Sequence, residues 1–194
     1  MSGDSPLAWV AIDFLSCLLL VVYALVAPSP KPPAIDTFGQ YAVEVTWPAS
    51  RGDDVDVYVE DPAGNIASYS NVDIGLMHLE HDDLGFVSDR QRHGAGVETV
   101  RDNRERVVLR GALPGEVTVN VHAYRKLGPA PCPVTIKLYS LRGYDRILLE
   151  RRVALRYLGE EVTAFRFTLG STGELLRHNR LGKVLAGSYR LPPP

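Results

Sequence analysis

The sequence predicts a mainly β protein, an antiparallel β-sandwich preceded by a single transmembrane α-helix. Three observations carry that prediction. One apolar run near the N-terminus is long enough for a membrane span. Beyond it, apolar and polar residues alternate with a period of two. Turns bearing Gly or Pro separate about eight such runs, the spacing of a sandwich.

Taken in order, residues 1–6 form a short N-terminus on the cytoplasmic side, and residues 7–27, LAWVAIDFLSCLLLVVYALVA, form the helix. At 1.5 Å per residue such a run covers roughly the 30 Å hydrocarbon core. A cleaved signal peptide fits less well: Met1 to Pro6 contain no Lys or Arg, Asp13 interrupts the run, and prolines follow it at once. Residues 28–39 form a proline-rich linker, because Pro28, Pro30, Pro32 and Pro33 each fix φ and push the preceding residue out of the helical region.

Residues 40–169 form the sandwich domain. Tyr41 to Trp47, Asp54 to Val59, Val117 to Tyr124 and Val134 to Tyr139 alternate most clearly, with further runs at 106–109, 146–155 and 163–169. Asp61-Pro62-Ala63-Gly64-Asn65 and Leu113-Pro114-Gly115 read as turns, and residues 126–133 as a hairpin loop. Residues 170–194 offer one short helical turn and end as a flexible, basic tail.

Composition excludes several functions. A formal net charge of -2 leaves no electrostatic footprint for nucleic acid. Two cysteines, Cys17 in the helix and Cys132 in a proline-rich loop, make no disulfide framework. No phosphate-binding glycine loop, Gly-x-Ser-x-Gly elbow or His-Glu-x-x-His helix appears, so the expectation is that the protein is not an enzyme.

Asp13 is the most informative single residue. A carboxylate in hydrocarbon is costly unless it is protonated, paired or hydrated. On a 3.6-residue helix it shares a face with Trp9, Ser16, Cys17, Leu20 and Ala24, and Ser16 and Cys17 are small enough for a second helix to approach. A second set of acids, Asp54 and Asp56 with Asp82 and Asp83, supplies oxygen donors of the kind calcium takes. His78, Glu80 and His81 do not supply the tetrahedral set of zinc.

The N-terminal segment Trp9 to Leu20, with its lone early Asp in a single apolar helix, resembles the B-type subunits of ion-driven membrane motors: the MotB, ExbD, TolR and ZorB proteins. That resemblance implies a homodimer within a ring of multi-helix A-subunits. It also implies Asp13 as the ion-translocating residue, with a proton or sodium as coupling ion and no other cofactor. Residues 43–141 resemble a second family, an uncharacterised bacterial extracytoplasmic β-sandwich domain. The residues that carry it are the Asp54-Val55-Asp56-Val57 strand, the Asp61-Pro62-Ala63-Gly64 turn, the acidic His81-Asp82-Asp83-Leu84-Gly85 segment and the Pro114-Gly115 turn before a Val-rich strand.

Together these readings give two expectations of function. The first is the B-subunit of a proton-driven motor in the bacterial inner membrane, single-pass, with the β domain as periplasmic output or anchor. The alternative is a membrane-anchored β-sandwich that binds an envelope polymer or another protein.

Overall fold

The computed structural model describes residues 6–26, 39–81, 90–93, 96–99, 103–111 and 113–188. The chain divides into two compact units, Met1–Ala34 and Ile35–Pro194. The boundary falls inside the predicted proline-rich linker.

In the first unit, helix α1 runs Pro6–Val26. Its apolar side chains between Trp9 and Tyr23 are exposed. Among the described residues no helix is long and apolar enough to cross a membrane, and the expected single-pass inner-membrane location is corrected on that finding. Asp13 interrupts the apolar character of α1 early, and a carboxylate at such a position is costly in hydrocarbon.

The second unit is mainly β. In chain order its strands are β1 (Gly39–Thr46), β2 (Asp54–Glu60), β3 (Ile66–Ala67), β4 (Asp73–Ile74), β5 (Met77–His81), β6 (Arg90–His93), β7 (Gly96–Thr99), β8 (Arg104–Arg110), β9 (Gly115–Arg125), β10 (Cys132–Ser140), β11 (Arg146–Leu155), β12 (Glu161–Leu169) and β13 (Leu175–Asn179). They form a six-stranded sheet in the order β11-β10-β1-β8-β5-β4, a five-stranded sheet in the order β13-β12-β9-β2-β3, and a separate β6-β7 pair. Every pairing is antiparallel.

The alternation visible in the sequence builds the core directly. Val43 and Val45 of β1, Ile136 and Leu138 of β10, and Val107 and Leu109 of β8 face inward from the first sheet. Val55, Val57 and Val59 of β2, Val117, Val119 and Val121 of β9, and Phe167 of β12 face them from the second. Each such side chain, fully buried, contributes about 1.5–3 kcal/mol. Truncating Phe167, which is completely buried, is the single change in this layer that removes the most packing.

One charged group shares this layer. Glu105 of β8 occupies an inward position and is 1% exposed. Strand β3 pairs with Val59 and Glu60, so among the described residues the β2 edge at Val57 has no strand beside it. The Val57 N–H instead donates to Glu105 Oε2 across the sandwich at 2.5 Å. A carboxylate from one sheet thus stands in for a missing strand in the other.

Two expectations differ from the structure at its C-terminal side. Residues 170–194 were expected as a short helical turn and a free tail, yet 175–179 pair with β12 as β13. Leu185 is 1% exposed. The Glu161 carboxylate accepts the amides of Leu185 and Ala186 at 2.8 and 3.1 Å, Asn120 Nδ2 donates to the Lys183 carbonyl at 2.7 Å, and Thr163 bonds both Lys183 backbone groups. Satisfied backbone groups, not apolar periodicity, hold this segment on the outer face of the second sheet. Cys132, expected in a loop, begins β10 and is fully buried.

Candidate functional site

At one end of the sandwich, the start of β1 and β11 and the turn between β12 and β13 enclose a cleft of about 900 Å³. Tyr41, Ser140, Arg142, Tyr144, Asp145, Arg146, Leu148, Glu174 and Leu175 line it. The volume lies within the usual range of ligand sites.

Each wall is fixed by local chemistry. The β10–β11 hairpin turns at Leu141 to Asp145, with Leu141 N–H donating to the Gln40 carbonyl at 2.9 Å. Tyr144 at its tip is 93% exposed. The opposite wall is the turn Gly170 to Glu174, closed by Gly170 N–H to the Glu174 carbonyl at 2.8 Å and Gly173 N–H to the Gly170 carbonyl at 3.0 Å. Gly173 has φ +80°, a backbone conformation that favours glycine. Tyr41 donates its hydroxyl to the Gly173 carbonyl and ties this turn to β1. Burial pushes the Tyr41 hydroxyl up in pKa, with Arg142 pulling the other way.

The charges in the cleft are mixed. Arg142 Nη2 donates to Gln40 Oε1 at 2.5 Å. Thr172 donates to Glu174 Oε2 at 2.5 Å and lowers that carboxyl's pKa. Arg146 and Asp145 extend the two signs along the hairpin. Such a lining can take carboxylates on its guanidiniums, cations on its acids and apolar groups against Tyr144, Leu148 and Leu175.

At the opposite end lies a closed polar knot centred on Asp53, which is fully buried. Its Oδ1 accepts the amides of Leu127 and Gly128 at 2.7 and 2.8 Å, and its Oδ2 accepts Arg51 Nε at 2.9 Å and Lys126 Nζ at 3.4 Å. Trp47 Nε1 donates to the Asp53 carbonyl at 2.9 Å. Burial opposes the charge. The Gly128 amide, Arg51, the Leu127 amide and the Cys132 thiol outweigh it and hold the carboxyl well below the usual carboxylate range. The Cys132 thiol is pushed up to about 11 by burial and by Asp53. It is an inert thiol at neutral pH.

The residues singled out from sequence are placed as follows. Asp13 and Cys17 lie on α1, and Cys17 is exposed. Ser16 Oγ donates to the Ile12 carbonyl at 2.9 Å. Asp54 and Asp56 lie on the outer face of β2, opposite Arg125 and His122 of β9 in the strand register. Arg125 Nη2 is 3.6 Å from Asp54 Oδ2, and His122 Nδ1 is 3.4 Å from Asp56 Oδ2. These are cross-strand pairs, and β geometry brings such opposed residues together. Asp82 and Asp83 lie outside the described residues. Among the described residues no group of three or more His, Cys, Asp or Glu is arranged to hold a metal.

His122 and Asp56 also adjoin Tyr58, whose ring meets the imidazole edge-on at 6.0 Å. Burial, Asp56 and Tyr69 raise the Tyr58 pKa, so this phenol is no nucleophile at neutral pH. Asp61 accepts the amides of Ala63 and Asn65 at 2.8 and 2.9 Å in the predicted turn, where Gly64 has φ 85°.

The cleft itself was not read from the sequence. Its one local signal is Leu141-Arg142-Gly143-Tyr144-Asp145-Arg146, where a turn glycine presents Tyr and two Arg, residue types enriched at interfaces. No protein-family model, curated protein or solved structure matches the chain.

Proposed function

We propose that the β domain is a protein-recognition module, not an enzyme, and that it holds an extended segment of a partner protein in the cleft between the β10–β11 hairpin and the β12–β13 turn. The observation that carries this reading is the cleft's lining: about 900 Å³ bounded by two guanidiniums, two carboxylates and exposed Tyr144. A peptide offers charges of both signs and apolar side chains in alternation, which is what that lining complements. The titratable groups elsewhere favour the same reading, because Asp53, Asp54 and Asp56 are engaged in pairing and Cys132 is buried with a raised pKa.

The motor-subunit role of Asp13 rests on a resemblance over about twenty residues and requires a membrane span. It is not the reading proposed.

The test selects peptides from a displayed library on the full chain and measures their affinity for Arg146→Glu and Tyr144→Ala. Both variants should bind the selected peptides at least about tenfold more weakly, with an unchanged circular-dichroism spectrum. Selected peptides that bind both variants as well as the original chain would remove the cleft from the proposal.

A further inference from the structure

The five-stranded sheet has short edges, β13 and the two-residue β3, but the six-stranded sheet ends on one side in β11, ten residues long. A long edge strand carries a row of backbone donors and acceptors that another strand can pair with. Two of the inward residues of β11 are incompletely buried, although Leu155 at its end is fully so. Leu149 and Val153 pack against the core yet remain only partly buried, because the sheet ends beside them.

A twofold axis perpendicular to a sheet keeps inner faces inner, so two copies of β11 can pair only with a residue on the axis. Three such registers bring the middle of the strand together. With Glu150 on the axis, Glu150 opposes its own copy and Leu149 opposes an arginine. With Arg152 on the axis, a guanidinium 81% exposed opposes its own copy. With Arg151 on the axis, Glu150 faces Arg152 of the partner subunit on the outer surface, and Arg152 faces the partner's Glu150. On the inner surface Leu149 then faces Val153 of the partner subunit. Opposite charges meet twice, and the half-buried apolar residues of each copy complete the other's core.

Arg151 itself does not obstruct this register. Its guanidinium crosses its own sandwich and donates through Nη1 to the carbonyls of Thr163 and Ala164 at 2.5 and 2.7 Å. These carbonyls lie at the β12 bulge, between Thr163 and Phe165, so each Arg151 is already engaged within its own chain.

We propose that β11 is a homodimerisation edge, at which two copies of this chain join their six-stranded sheets antiparallel with Arg151 on the twofold axis. The partner is a second copy of the chain, and Glu150 and Arg152 fix the register. This does not depend on what the cleft binds.

The test uses the full chain in a non-ionic detergent that covers the apolar surface of α1, with sedimentation velocity from about 1 to 100 µM. The unaltered chain should dimerise. Glu150→Arg and Arg152→Glu, each placing like charges opposite one another twice, should weaken the dimer by about tenfold or more, and the double variant Glu150→Arg/Arg152→Glu should regain it. All four residues concerned are at the surface of a strand, and circular dichroism confirms that each variant stays folded. A chain that stays monomeric throughout would overturn the proposal. So would association that ignores the single reversals, as pairing through α1 would, or a double variant that fails to recover.

Discussion

The two ends of the sandwich are built from similar parts and behave in opposite ways. Each has a buried residue tied to a neighbouring turn, Asp53, just before β2, to residues 127–128 at one end and Tyr41 of β1 to Gly173 at the other. At the Asp53 end two backbone amides, Arg51 and Lys126 converge on one carboxylate, and both Asp53 and Trp47 are buried. At the Tyr41 end the turns stand apart, and Arg146 and Tyr144 point into a cleft instead of into one another. Closing polar groups on themselves secures a fold, whereas leaving them convergent but unclosed leaves capacity for a ligand.

The largest expected effect tests the closed end. Asp53→Ala leaves two amides, a guanidinium and an ammonium without their common acceptor and should destabilise the domain by about 3–5 kcal/mol, measured by urea unfolding. The same carboxylate sets an acid limit. Its folded pKa is depressed, so the stability it contributes is fully present above the unfolded carboxyl value near about 3.9 and is lost as pH falls below it. Unfolding curves of the original chain should therefore show a steep loss of stability below about pH 4 that Asp53→Asn, already destabilised, lacks in part.

A smaller effect sharpens the contrast. Trp47→Phe keeps the apolar ring but removes the bond to the Asp53 carbonyl, and should cost about 1 kcal/mol in the same measurement. The smallest is at the open end. Tyr144→Ala, at a residue 93% exposed, should change stability by no more than about 0.5 kcal/mol while it weakens peptide binding. A large stability loss there would erase the distinction between the two ends.

The sequence showed the strands because their alternation is a local property, and Val117 to Tyr124 could be assigned from eight consecutive residues. The Asp61 turn was equally local, since one side chain and Gly64 define it. Asp53 was legible only as one of several neighbouring acids, because its partners Leu127 and Gly128 lie more than seventy positions away and donate through backbone amides, which leave no mark on residue type. The cross-strand pairing of Asp54 and Asp56 was hidden for a related reason. The register that sets them opposite Arg125 and His122 is fixed by pairing between distant strands. The β13 strand escaped because Leu175-Leu176-Arg177-His178-Asn179 does not alternate cleanly, and the membrane-anchor expectation rested on apolar content that among the described residues does not make a span.

The strap of residues 183–186 has a temporal consequence. Chains are made from the N-terminus, and domains begin to fold in that direction. The Glu161 carboxylate on β12 and the Asn120 amide on β9 must wait for backbone groups at 183–186, which are synthesised after them. Until then the outer face of the second sheet keeps its polar groups in water, and the seat of Leu185 stays empty. A ribosome that stalled before Lys183 would therefore hold a sandwich whose two layers had met but whose back was still open.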